Sequence, residues 1–144
     1  MGAGSVHTWV VVGPDAIDPE ALRARVSHPS AGAVVQFLGT VRDHSAGKTG
    51  VTHLMYEAFS ERVEAKIREI IEEALRKWDL IAVAVEHRVG EVVVGEPSVA
   101  VTVSSVHRSG AFEAGRYLID ELKARAPIWK KEHWPGGAEW SPGA

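Results

Sequence analysis

Two stretches of this sequence read as long amphipathic helices, and between them lie three β-rich runs rather than one. From Ser60 onward, Val63, Ile67, Ile70, Ile71, Ala74 and Trp78 recur at helical spacing on one face. Glu61 and Glu64 sit early and Arg76 and Lys77 late, as the helix dipole favours. A second long helix is expected from near Ser109 to about Ala126, with Ala111, Gly115, Leu118, Ile119, Leu122 and Ala126 as its apolar stripe. Pro127 disfavours helical geometry at the residue before it, so the helix should end there. Between the two helices, residues 81–95 hold two β-rich runs joined at Gly90, and residues 98–108 hold a third. Long helices that do not alternate one for one with strands fit a doubly wound sheet poorly. They fit a single α+β domain with mostly antiparallel strands.

The first half supplies the remaining elements. "VHTWVVVG" (6–13) reads as a strand, and "DPEALRARV" (18–26) as a short helix with Asp18 as N-cap and Pro19 at its first position. "GAVVQFLGTVRD" (32–43) reads as a largely buried strand, "HSAGKTG" (44–50) as a polar, Gly-rich loop, and "VTHLMYEAF" (51–59) as an alternating strand. The expected order is β-α-β-β-α-β-β-β-α, with three helices in one domain spanning 1–144. Residues 1–5 are expected to be a flexible start. Residues 133–144, rich in Trp, Pro and Gly, are expected to be an irregular tail.

The chain has no cysteine, which excludes thiol nucleophiles, disulfide scaffolds and Cys-based metal sites and suits a cytoplasmic protein. Its net charge of -3 argues against bulk nucleic-acid binding but leaves room for a local basic pocket. The N-terminus carries only a short apolar run and no charged leader, so neither a signal peptide nor a membrane span is expected there.

Several familiar chemistries fail on spacing. "AGKTG" (46–50) would need glycine, not Arg42, to begin a phosphate loop, and it joins two strands. The histidines form no metal-binding pair pattern, so no metal site is expected. The serines near 104–109 lack a nucleophile elbow. Two positions fit both a functional and an ordinary reading. His107-Arg108 ends a strand at a helix start, where backbone N–H groups favour an anion, but surface charge beside an N-cap explains it equally. Arg42, at the end of a strand beside a flexible loop, could simply pair with Asp43. "LKARAPIWKKE" is less easily explained as surface. Lys123 falls at the border of the apolar stripe, where its stem can run over the core. Pro127 sends Lys130 off the helix, from a turn expected to be pinned by Ile128 and Trp129. Charge placed to complement the helix dipole accounts for Lys123 and Arg125, but poorly for the anchored "PIWKK".

"VRDH", "HRVGEVVVGE", "SSVHRSGAFEAGRYLIDELKARAPIWKKE" and the closing Trp140 resemble the large, catalytic subunit of molybdopterin synthase. The similarity runs from about residue 8 to residue 140. The resemblance implies an α/β hammerhead fold and conversion of cyclic pyranopterin monophosphate (precursor Z) to molybdopterin. Sulfur would come from the C-terminal Gly-Gly thiocarboxylate of a small ubiquitin-like carrier subunit. It further implies a homodimer at the centre of a heterotetramer, with no resident cofactor or metal and with neither nucleic acid nor membrane as partner.

Residue by residue, the resemblance puts pterin binding on Thr40, Val41, Arg42, His107, Arg108, Lys123, Lys130, Lys131 and Glu132. Lys123 and Lys130 match the lysines regarded as catalytic, and Phe37 matches an aromatic position near the pocket. The likeness departs at the C-terminus, where longer members carry a charged tail beyond the position of Trp140. Two other readings stay open on residues alone: a non-catalytic adapter that docks a ubiquitin-like tail, and an anion-binding regulatory domain.

Overall fold

The computed structural model describes residues 6–45 and 47–143. In chain order its elements are β1 (His7–Gly13), α1 (Pro19–Val26), β2 (Ala33–Thr40), β3 (His44–Ser45), β4 (Lys48–Thr49), β5 (His53–Ala58), α2 (Ser60–Lys77), β6 (Leu80–Arg88), β7 (Gly90–Val93), β8 (Pro97–Ser105), α3 (Arg108–Arg125), β9 (Ile128–Trp134) and β10 (Gly137–Pro142). Two four-stranded sheets result, in the orders β1-β6-β8-β2 and β10-β9-β5-β7, with β3 and β4 forming a small hairpin. Among these pairings only β1 with β6 is parallel. The three-helix, mostly antiparallel α+β architecture expected from the element order is the one observed. The flexible start expected over residues 1–5 lies outside the described residues.

The first sheet is built by alternation. Val83 and Val85 of β6 enter the main core with Val99, Val101 and Val103 of β8, while Ala82, Ala84 and Ala100 face a second cluster around α1. Small residues on that side let α1 settle Leu22 and Val26 close to the sheet. The Asp18 side chain caps α1 by accepting from the backbone N–H of Glu20 and Ala21. β8 is buried from Ser98 to Ser105, as an interior strand covered on both faces must be. β2, expected to be largely buried, is instead half covered, with Val34 and Phe37 exposed. It forms the edge of its sheet, so one side has no strand over it.

Helices α2 and α3 cover the main core with Val63, Ile67, Ile70, Ile71, Ala74, Leu118, Ile119 and Leu122. Arg125 fastens them together. Its guanidinium donates to both Glu73 oxygens at 2.6 and 2.8 Å and to Glu121 at 3.0 Å, while Tyr117 adds a hydrogen bond to Glu73 at 2.7 Å. The Arg125 and Tyr117 donors pull the Glu73 carboxyl down to about 2. No helix is long and apolar enough to cross a membrane among the described residues.

The C-terminal segment corrects an expectation. The sequence leads one to expect an irregular tail over residues 133–144, yet β9 runs to Trp134 and β10 pairs with it through Gly137–Pro142. Lys130 accordingly sits in a strand, not in a turn. The pairing partner, β5, lies some seventy residues earlier, and a pattern broken by Trp, Pro and Gly gives no local sign of it. Ile128 is the buried anchor of this segment, whereas Trp129 is exposed.

Both sheets share one core. Tyr56 and Leu54 of β5, Val92 of β7 and Ile128 of β9 join the cluster made by the first sheet and its helices. Beneath this junction lies His87, 1% exposed. Its Nδ1 is 2.7 Å from the Arg88 carbonyl, which can only accept, so Nδ1 carries the proton. Nε2 is buried with no hydrogen-bond partner among the described residues, and the ring meets Tyr56 edge-on at 5.1 Å. Burial, with a further push from Lys123, takes the imidazole from 6.5 down to about 4. Because the unfolded chain takes up this proton first, stability falls as pH drops from 6.5 towards 4. His87→Gln removes the titration. Urea denaturation should show wild type losing about 2 kcal/mol more than the variant between about pH 7 and pH 5.

Candidate active site

A cleft of about 340 Å³ opens where the two sheets and the end of α3 meet. Its walls come from six places in the chain. Gly39, Thr40 and Arg42 follow from the end of β2, and His44 and Ser45 from the small hairpin. Tyr56 comes from β5 and Ser98 from β8, while Lys123 comes from α3, and Lys130 and Glu132 from β9. Gly39 allows the wall to close up, since a Cβ there would stand 2.6 Å from Val99 Cγ1. Its carbonyl accepts from Ser98 Oγ at 3.3 Å, and Ser98 Oγ accepts from the Tyr56 hydroxyl at 3.2 Å. A buried hydroxyl chain thus fixes the floor. Burial, ahead of the other influences on it, raises the Tyr56 phenol above its ordinary value.

Three cations converge on this space. Lys123 has its pKa lowered, first by partial burial of the amine and then by the like charges of Lys130 and Arg42. The residue as a whole keeps solvent contact, so the amine sits at a cleft edge rather than in the core. The opposing term is Glu132, 8% exposed. Burial alone would push its carboxyl up, but the Ser45 hydroxyl and the ammonium groups of Lys48 and Lys130 outweigh that and hold it low. Such a site can grip an anion, stabilise charge that develops during a reaction, and exchange a proton through a lysine whose pKa lies closer to neutrality than usual.

The residues singled out from the sequence divide by location. Thr40, Arg42, Lys123, Lys130 and Glu132 line the cleft together. Val41 is in the core, its N–H donating to the Glu96 carbonyl. Lys131 leaves β9 on the opposite face from Lys130 and lies over the Trp140 ring at 5.4 Å. Phe37 lines a neighbouring apolar groove that shares Lys123 with the cleft. His107 and Arg108 are exposed at the start of α3. That is the far end of the helix from Lys123, about 22 Å away along its axis. His44, Ser45, Tyr56 and Ser98 were not singled out. For Tyr56 a signal existed, because alternation puts it on the same strand face as Leu54. His44 stands beside Asp43, whose Oδ1 is 2.8 Å from its Nδ1.

The family model described as MoaE protein matches residues 12–125. The chain belongs to the MoaE family. Among curated relatives, a molybdopterin synthase catalytic subunit from Thermoplasma volcanium is 48% identical over 127 residues, covering 88% of this chain and 92% of that protein. The Escherichia coli protein of the same name is 42% identical over 135 residues, covering 93% and 89%. A crystal structure of molybdopterin synthase from Staphylococcus aureus superposes with a TM-score of 0.85 at 35% identity, covering 90% of this chain and 94% of that one. The MoaE match spans β2, β5, β8 and all of α3, which together carry most of the cleft.

Removing one cation should relax another. In Lys130→Ala the like-charge contribution to Lys123 is lost, so the Lys123 pKa should rise towards the ordinary lysine value. Titrating the lysine side-chain carbons by NMR measures this directly; an unmoved Lys123 resonance would break the electrostatic link.

Proposed function

We propose that this protein is the catalytic subunit of a molybdopterin synthase. It would convert cyclic pyranopterin monophosphate to molybdopterin with sulfur from the C-terminal thiocarboxylate of a small ubiquitin-like carrier. The observation that carries the reading is the cation-lined cleft, Arg42 with Lys123 and Lys130, in a chain of net charge -3 that belongs to the MoaE family. The relatives' name, catalytic subunit, implies company, and a chain without cysteine has no thiol of its own to carry the sulfur, which suits delivery by a partner. The same absence of cysteine suits work in the cytoplasm.

In this reading Arg42 and Lys130 hold the substrate's cyclic phosphate and the oxyanions that appear as the thiocarboxylate sulfur attacks. Fixed cations in a partly dehydrated cleft need no reorganisation when that charge appears. Lys123, with its lowered pKa, moves protons between the reacting carbon skeleton and solvent. Tyr56 and Ser98 form the neutral floor, and Glu132 limits the net positive charge.

His107 and Arg108 enter differently. One chain holds them too far from Lys123 to share its cleft. Their expected part in pterin binding therefore requires a second copy of the chain, whose α3 start faces the first copy's cleft. This joins the proposed pterin site to the proposed homodimer.

Purified protein mixed with thiocarboxylated carrier and precursor Z should yield a dithiolene product. Carrier binding with no product would favour an adapter instead. Lys123→Ala should lose at least about a hundredfold in turnover, as removal of a proton-transfer group does, while still binding the carrier by calorimetry. Near-normal turnover would sink that role. Separately inactive Lys123→Ala and Arg108→Ala proteins, mixed under conditions that exchange subunits, should regain a fraction of wild-type turnover. No recovery would exclude sharing between copies.

A further inference from the structure

Glu132 is an odd neighbour for a lysine meant to meet an anion. Glu132 and Lys130 are two residues apart on β9, so both side chains leave the strand on the same face, and both line the cleft. A nearly buried carboxylate beside a long, flexible ammonium is its obvious counterion. Pairing of the two would draw Lys130 back to the wall and cancel the charge it presents. The observed pairing is different. Lys48 Nζ lies 3.5 Å from Glu132 Oε1 and 2.7 Å from Glu139 Oε2. Among the described residues, no ion pair joins Glu132 to Lys130.

Lys48 is well placed to compete. It stands on β4, one residue after Gly47, whose φ of +73° turns the small hairpin. Its side chain is only 18% exposed. The Trp134 ring flanks its ammonium at 5.2 Å. Glu132, Trp134 and Glu139 all belong to the β9–β10 hairpin, so three groups on one rigid unit hold the ammonium. The Glu139 hydrogen bond is the largest influence raising the Lys48 pKa above its ordinary value.

We propose that Lys48 is a positioning residue for Lys130. By satisfying Glu132 it keeps that carboxylate from capturing the Lys130 ammonium, which stays directed into the cleft. Glu139 fixes the outer side of Lys48. The inference rests on the assignment of Lys130 to the substrate site. It differs from a plain tether role, in which Lys48 would only hold the hairpin that carries His44 and Ser45 onto β9. In the tether role Glu132 is itself one of the anchors, so replacing it cannot restore what Lys48→Met loses. In the positioning role replacing it does restore that loss.

The test compares Lys48→Met, Glu132→Gln and the double variant in the two-subunit assay, beside thermal melts and a crystal structure of Lys48→Met. Lys48→Met should lower kcat/KM for the pterin about tenfold, since it leaves Glu132 to find a new partner. The double variant should recover to the level of Glu132→Gln alone. The crystal structure should show Lys130 Nζ within salt-bridge distance of Glu132. A double variant that stays at or below the level of Lys48→Met, or a Lys130 that stays away from Glu132, would overturn the inference in favour of the tether. If Lys48→Met does not fold, Lys48→Gln takes its place. A wild-type protein that makes no product with active carrier overturns the functional reading. The crystal structure then decides the pairing on its own.

Discussion

The cleft depends on β9 lying against β5 in one register. Pro127 stops α3 once the Ala126 N–H has reached the Leu122 carbonyl, and Ile128, buried at the junction, starts the strand. From there Ile128 pairs with Ala58, Lys130 with Tyr56 and Glu132 with Leu54. Lys130 is thereby carried to the same wall as the end of α3, where Lys123 waits. The two lysines, seven residues apart in sequence, reach one space from two different kinds of element. An uninterrupted helix would also have put them on one side, but stacked along a single solvated face with no opposing wall.

A chain with more acidic than basic residues gathers cations here by disposing of the others nearby. Arg125, two residues from Lys123, is committed to Glu73 and Glu121 and joins α2 to α3. Lys131, next to Lys130, turns outward onto Trp140. Each basic residue of the 123–131 stretch therefore has its own surroundings. Only those whose direction is set by the helix stripe edge or by the inward strand face contribute to the cleft. Net charge says little about such a site, because the potential at a partly buried cleft is set by the few groups within several ångströms.

Much of the fold was legible because its signals are local. Helical spacing located α2 and α3, the Asp18-Pro19 pair located α1, and Pro127 marked the end of α3. What stayed hidden was non-local. β9 and β10 exist as strands because β5 offers them hydrogen bonds, and nothing between Trp129 and Pro142 announces that partner. The exposure of β2 depends on its being last in its sheet, a fact of topology and not of composition. The site follows the same division. Lys123 and Lys130 stood out by their placement around the proline, while Arg42, at a strand end, gained its functional reading only from the family likeness. The Tyr56–Ser98–Gly39 chain and the Lys48–Glu132 pair join residues more than forty and eighty positions apart, and no short pattern encodes them.

The alternation along β9 has a consequence for how members of this lineage can change length. Inward and outward positions on a strand swap whenever the count of residues before them shifts by one. Between Pro127 and Lys130 there are only Ile128 and Trp129. Losing or gaining a single residue there would turn the cleft lysine to solvent and bring its neighbour's side chain, or the bulk of Trp129, inside. The spacing from the proline is thus as much a functional element as the lysine it delivers. A residue added in a loop outside the strands, by contrast, leaves that alternation of faces untouched.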